Sequence, residues 1–337
     1  MAKSSQATAS AFGWDFQSNA AIVLMLKNIT IASFVKVEGE HEDIEIMLND
    51  GQKIFAQAKS VERPYEDFSH VMDRLKAGLR TLNIAASQPN VCDLIYITNS
   101  PDPYNSNTVA AGAFGSGGLT ALSYSELPSD CKKRIDEICQ LESYEFDRSL
   151  LSVYVLQFYG ADDNLENRYK IVKEKINELL ALLDVGDRGW GPKMLEIWQR
   201  EFHVNATQRT VQITKGQMIW PIIVMICKVG REDAMLSDYD DGDIDEILRR
   251  YESIIDNNAE RYEFVAKVLS AYNAFEPALL SRKRTEKFVD EQWAAFQSDF
   301  DLPNTDSYIT EIVIRLTIHN IVRRRSSIHT ITKQVNL

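Results

Sequence analysis

Glu38-Gly39-Glu40-His41-Glu42-Asp43-Ile44-Glu45-Ile46-Met47-Leu48-Asn49-Asp50-Gly51-Gln52-Lys53-Ile54-Phe55-Ala56-Gln57-Ala58-Lys59 is the stretch that decides how this chain reads. Ile44, Ile46 and Leu48 alternate with Asp43, Glu45 and Met47. Past Asn49-Asp50-Gly51 the alternation resumes, with Ile54, Ala56 and Ala58 against Phe55, Gln57 and Lys59. Period-two patterning on both sides of a turn signal predicts a β-hairpin with one apolar face. A three-residue Asn-Asp-Gly loop with Gly51 left-handed pairs Leu48 with Gln52 and, counting back, Asp43 with Gln57. Lys59 lies two residues beyond Gln57, so Asp43, Gln57 and Lys59 project from the face opposite the isoleucines.

An acid, an amide and an ammonium on one face have a chemical reading. A carboxylate and an amide oxygen are hard ligands for a divalent cation such as Mg2+. A neighbouring lysine can orient an attacking water and offset charge on a phosphorane-like transition state. Phosphodiester hydrolysis needs those parts. The competing reading is a solvated hairpin face; against it stand the apolar flanks, because Lys and Asp seldom enter a buried hairpin without a partner.

Asp43 followed by Gln57-Ala58-Lys59 at a strand end resembles the D…(D/E/Q)-x-K core of the PD-(D/E)XK nuclease superfamily. The longer string is Gly13-Trp14-Asp15-Phe16-Gln17, Val37-Glu38, Glu42-Asp43-Ile44-Glu45-Ile46 and Ala56-Gln57-Ala58-Lys59-Ser60. It resembles the dsDNA endonuclease family that forms the nuclease end of bacterial antiphage systems: nucleotide-activated CBASS effectors, Lamassu systems and HerA-linked systems. The match covers roughly the first half of the chain. It implies an α/β (α+β) restriction-endonuclease-like core, αβββαβ with a mixed sheet, followed by a mostly α-helical domain. It also implies an endonuclease that cleaves double-stranded DNA with Mg2+ or Mn2+. Asp43 and Gln57 would hold the metal, Lys59 would orient the water, and Gln17 on the first helix would approach the site. Gln57 stands where the superfamily more often has Asp or Glu, so Glu38 is the expected second acid. The implied partners are an SMC-like ATPase complex or a HerA-like ATPase/translocase, with a homo-oligomeric chain and no membrane. The alternative is a catalytically silent nuclease-fold subunit that binds DNA or protein.

The chain has 337 residues, 45% hydrophobic and 26% charged, which suits a globular protein of one large or two ordinary domains. No apolar run approaches a membrane span and the N-terminus lacks a signal-peptide core, so a cytoplasmic protein is expected. Net charge is −12, which argues against a general nucleic-acid coat but not against a metal-dependent nuclease, whose site is itself acidic. Cys92, Cys131, Cys139 and Cys227 match no zinc spacing and read as reduced, mostly buried thiols.

Periodicity places a helix from about Trp14 to Lys27, a strand from Ile31 to Glu38, a helix between Tyr65 and Leu82 and a strand from Val91 to Thr98. Residues 101–125 read as a flexible loop whose glycines lack the lysine of a phosphate-binding loop. A helix from Ser129 to about Leu141 and a strand from Leu150 to Tyr159 complete a nuclease domain over 1–160. Residues 161–337 form the expected helical domain for oligomerisation and partner docking. There Asp163-x-x-Glu166 reads as a capping box, 186–192 as a hinge, and 209–213 and 219–226 as irregular or strand-like. The acidic run Asp238–Asp245 fails as a calcium loop because Tyr239 and Leu248 fall at ligand positions, so it caps a helix over 244–259. Arg282-Lys283-Arg284 and Arg323-Arg324-Arg325 are solvated surface or contacts for DNA or an acidic partner.

Overall fold

The second arm of the predicted hairpin becomes the middle strand of a mixed sheet, and its composition gives the reason. Ile54, Phe55 and Ala56 are successive apolar residues, so both faces of the strand need covering, and all three are buried. The structure, a computed structural model, describes residues 2–105, 110–115, 117–159, 165–185, 189–207, 211–256, 262–276, 280–300, 302 and 305–337. The chain forms two compact units: residues up to Leu182 with 189–215, and residues 216–337 with Leu183–Val185.

In the first unit α1 (Ala2–Lys27) precedes β1 (Ala32–Val37), β2 (Ile44–Leu48), β3 (Lys53–Lys59), α2 (Val71–Ala85) and β4 (Val91–Thr98), the αβββαβ order expected from the sequence. After the short α3 (Ala110–Ala113) come β5 (Leu119–Ser123), α4 (Ser129–Leu141), β6 (Leu151–Leu156), α5 (Leu165–Arg168), α6 (Lys170–Leu182), α7 (Gly191–Ala206) and β7 (Ile213–Thr214). Among the described residues the sheet has seven strands in the order β5-β6-β4-β3-β2-β1-β7. β2 runs antiparallel to both β1 and β3, β4 and β6 run parallel with β3, and the edge strands β5 and β7 are antiparallel to their neighbours.

The hairpin register follows from its turn. Gly51 has φ 83°, a conformation glycine adopts without steric cost, and its N–H donates to Leu48 O at 3.1 Å. Leu48 N–H donates to Gln52 O at 2.8 Å, Ile46 faces Ile54 and Ile44 faces Ala56, so Asp43 falls in line with Gln57.

Both faces are covered. Phe55, Leu94, Tyr96, Val153 and Val155 pack with Leu75, Leu79 and Leu82 of α2 and Ile135 and Ile138 of α4. Tyr154, on the opposite side of β6, accepts a hydrogen bond from Lys27 at the end of α1. Ala20 to Leu26 are all buried because α1 lies between the sheet and the helices α6 and α7, which explains a helix that is apolar all round.

Helix α2 meets the sheet closely at Gly78, where a Cβ would stand 2.6 Å from ring carbons of Tyr96 and 3.5 Å from Gln57 Cγ. Alanine is preferred to glycine in a helix by about 1 kcal/mol. Overpacking against the fully buried ring costs ~1–3 kcal/mol, so the clash decides the sign. Gly78→Ala is expected to lower the denaturant midpoint; an unchanged or higher midpoint would mean that α2 moves away freely.

Several elements depart from the sequence expectation. α1 begins at Ala2 and takes in the small polar residues. The first unit runs past residue 160, because α6 and α7 pack on α1 and β7 pairs with β1. The segment 101–125 contains the edge strand β5. The stretch 219–226 lies in the helix α8 (Lys215–Ile226) with Pro221 inside it, not in a strand. Asp163, 186–188 and 209–210 lie outside the described residues.

The second unit is helical, as expected. Beyond α8 it holds α9 (Asp241–Asp256), α10 (Tyr262–Ala274), α11 (Ser281–Gln292), α12 (Ser307–Arg323) and α13 (Arg325–Val335). α12 is its axis: Ile312, Val313 and Leu316 pack with Leu236, Ile247 and Tyr251, and the helix also touches α10, α11 and α13. Cys131, Cys139 and Cys227 are buried free thiols, and Cys92 is half-buried and free. Among the described residues no helix is long and apolar enough to cross a membrane.

Candidate active site at the end of strand β3

β3 leaves the sheet at Lys59, beside the carboxyl ends of its parallel neighbours β4 and β6, the end where ligands gather in such sheets. Asn99 ties this end together. It accepts from Val61 N–H at 2.7 Å and donates to Val61 O at 2.8 Å and Phe158 O at 2.9 Å, joining the segments that follow all three strands.

Asp43, Gln57 and Lys59 converge here. One carboxyl oxygen of Asp43, Oδ2, accepts from Gln57 Nε2 and, at 3.1 Å, from Ala58 N–H, and it lies 4.0 Å from Lys59 Nζ. Burial pushes the Asp43 pKa up; Lys59 and the Ala58 N–H pull it down, and Glu38 pushes it up again. Gln57 is 2% exposed and satisfied at both ends, since its Oε1 accepts from Thr81 Oγ1 on α2.

Gln17 and Glu38 reach the same corner from α1 and the end of β1. Gln17 Nε2 donates to Glu38 Oε1 at 2.9 Å and to the backbone oxygen of Asp43 at 3.1 Å. Glu38 has φ 53° and its N–H donates to Asp43 O at 2.8 Å, so the chain turns sharply between β1 and β2. Asp15 instead receives Arg168 at 3.1 Å and Tyr169 at 3.0 Å, fixing α1 to the helices behind it.

The β1–β2 loop also carries Glu42, which the sequence pattern does not mark. Glu42 is 6% exposed, and neither of its carboxyl oxygens meets a donor in hydrogen-bond geometry, although the Thr81 hydroxyl and the Asp43 amide stand close enough to act on it. Burial pushes its pKa up to about 8; the negative charge of Asp43 adds to the rise, while the Thr81 hydroxyl, the Asp43 amide and Lys59 oppose it. The loop is pinned from below: Glu45 Oε1 accepts from His41 N–H at 2.7 Å and Glu42 N–H at 3.3 Å. Gly39 N–H donates to Glu42 O at 3.1 Å, and a Cβ on Gly39 would fall 2.2 Å from the Glu45 carboxyl carbon. One turn before Gly78 on α2, Arg74 keeps a buried Nη1 without a partner and acts electrostatically on Tyr96.

The site is short of positive charge. The buried Glu42 and the half-buried Asp43, each holding its proton more tightly than usual, share one ammonium, and a divalent cation fits that donor set. Gln57 would join as a ligand by turning its amide over; the Thr81 hydroxyl can donate or accept and so serves either orientation. Among the described residues no three or more His, Cys, Asp and Glu side chains group as a metal site, so Glu38, Glu42 and Asp43 do not converge as a triple.

Arg282, Arg284, Arg323 and Arg325 of the basic runs have partners within their own unit. Arg282 pairs with Glu286 at 2.9 Å and Arg323 with Asp233 at 3.5 Å. Arg284 donates to Tyr272 O at 2.8 Å and Phe275 O at 2.6 Å, and Arg325 to Val322 O and Ser281 Oγ, both at 2.8 Å. Compared with protein-family models, curated proteins and solved structures, the chain matches none.

Proposed function

We propose that this chain is a metal-dependent endonuclease that hydrolyses phosphodiester bonds of double-stranded DNA, a PD-(D/E)XK-type effector of bacterial antiphage defence acting in the cytoplasm. The observation that supports it most is the meeting of Asp43, Gln57 and Lys59 on adjacent strands of an αβββαβ unit. Asp43 and Gln57 would hold Mg2+ or Mn2+, and a cation there would polarise the scissile phosphate and lower the pKa of a water. Lys59 orients the attacking water and offsets charge developing on the phosphoryl oxygens. Gln17 and Glu38 hold the loop that presents Asp43.

A chain of charge −12 with no base-reading motif needs control and added positive surface from outside. We assign these to assembly, as a homo-oligomer, with an SMC-like ATPase complex or a HerA-like ATPase/translocase. A second reading, a subunit that binds without cutting, is favoured by one observation: protein groups satisfy Gln57 at both ends. Supercoiled plasmid incubated with the chain, its genomic neighbours and Mg2+ or Mn2+ separates the two. The endonuclease produces nicked and linear DNA; plasmid left intact under every activating condition supports the silent subunit.

A further inference from the structure

We infer that Glu42, and not Glu38, supplies the second carboxylate that holds the divalent cation beside Asp43. The inference rests on the reading of this corner as a metal site and names the ligand that Gln57 leaves wanting. Three observations carry it. Glu42 is buried to 6% exposure with both carboxyl oxygens unpartnered, whereas Glu38 Oε1 is committed to Gln17 Nε2 at 2.9 Å. A buried carboxylate whose nearest donors, the Thr81 hydroxyl and the Asp43 amide, fall short of hydrogen-bond geometry is a costly arrangement that persists where something else satisfies it.

Glu42 also stands in the site's electrostatic field: Asp43, Lys59 and Thr81 all act on its carboxyl, and Thr81 is the residue that holds Gln57. Finally, the loop is built to keep it there. The Glu45 carboxylate takes the amides of His41 and Glu42, and Gly39 leaves the room that this carboxylate fills. Two acids and one amide make a donor set of hard oxygens suited to Mg2+ or Mn2+. They also restore the charge lost by having glutamine at position 57.

Calorimetric titration of the full chain with MnCl2 tests this without any cleavage assay. Glu42→Gln and Glu42→Ala are each expected to weaken Mn2+ binding at least about tenfold, as loss of one anionic ligand does. Asp43→Asn abolishes binding, and Glu38→Gln stays within about threefold of the wild type. Circular dichroism before titration establishes that each variant is folded, and the isosteric glutamine keeps the test valid if the alanine variant unfolds. Glu42 variants that bind Mn2+ as the wild type does, while Asp43→Asn loses it, overturn the inference and leave the metal site standing. A wild type that binds no Mn2+, or an Asp43→Asn that binds normally, overturns both.

Discussion

Lys59→Ala is expected to slow DNA cleavage by about 100-fold or more while leaving the fold intact. The two effects are separable because their magnitudes differ. The Lys59–Asp43 pair is 4.0 Å apart with side chains 30% and 24% exposed. Ion pairs of that exposure contribute about 0–1 kcal/mol to stability, too little to unfold a protein of this size. In an endonuclease the same ammonium would face a phosphoryl group in the transition state and be worth several kcal/mol there, since it would stabilise charge that exists only in that state. Lys59→Arg is not expected to restore the rate, because a planar guanidinium cannot take the place of a compact ammonium. Single-turnover cleavage of a plasmid, with thermal melts of both proteins, checks this. Equal rates would remove Lys59 from the chemistry.

Glu42→Gln is expected to stabilise the metal-free protein, and by more as pH rises. The carboxyl has an ordinary pKa of 4.5 and is pushed to about 8 in the fold. The folded state therefore binds this proton more tightly than the unfolded state does. Stability is fully present below the lower value and falls as pH climbs through the upper one. The shift amounts to a few kcal/mol at about 1.4 kcal/mol per unit, as an order of magnitude. Glutamine carries no proton to lose and escapes the penalty. Urea midpoints of wild type and variant, measured without divalent cations at about pH 5 and about pH 8.5, should diverge at the higher pH. A gap independent of pH would contradict the burial argument.

The hairpin was legible because two local rules agreed. Alternation named its apolar face and Asn49-Asp50-Gly51 set its register, so Asp43 could be placed opposite Gln57 from the sequence alone. The order of elements to β4 was legible for the same reason, each being periodic and closed by a turn signal. Glu42 was not, because nothing in the spacing of Glu38-Gly39-Glu40-His41-Glu42-Asp43 separates it from the other acids there; its burial comes from the fold, with Glu45 holding the loop and Thr81 of α2 beside it. The pairing of Gln57 with Thr81 was hidden as well, since it joins a strand to a helix 24 residues away. β5 was lost in a glycine-rich stretch because an edge strand whose residues are all half-buried carries no clear alternation. The stretch 219–226 misled through its β-branched residues and Pro221, whose local preferences the helical packing of α8 overrides. The extent of the first unit depended on α6 and α7 packing on α1, a contact no local pattern announces.

The central claim is that Asp43 makes this corner a catalytic metal site, and one comparison tests it most directly. Wild type and Asp43→Asn, each with its genomic neighbours and Mn2+, are assayed in parallel for plasmid cleavage and for DNA affinity. Nicking and linearisation by the wild type, with at least about a 100-fold loss in the variant at unchanged DNA affinity, is the predicted result. Equal cleavage by both proteins, or none by either while DNA is bound, would contradict it.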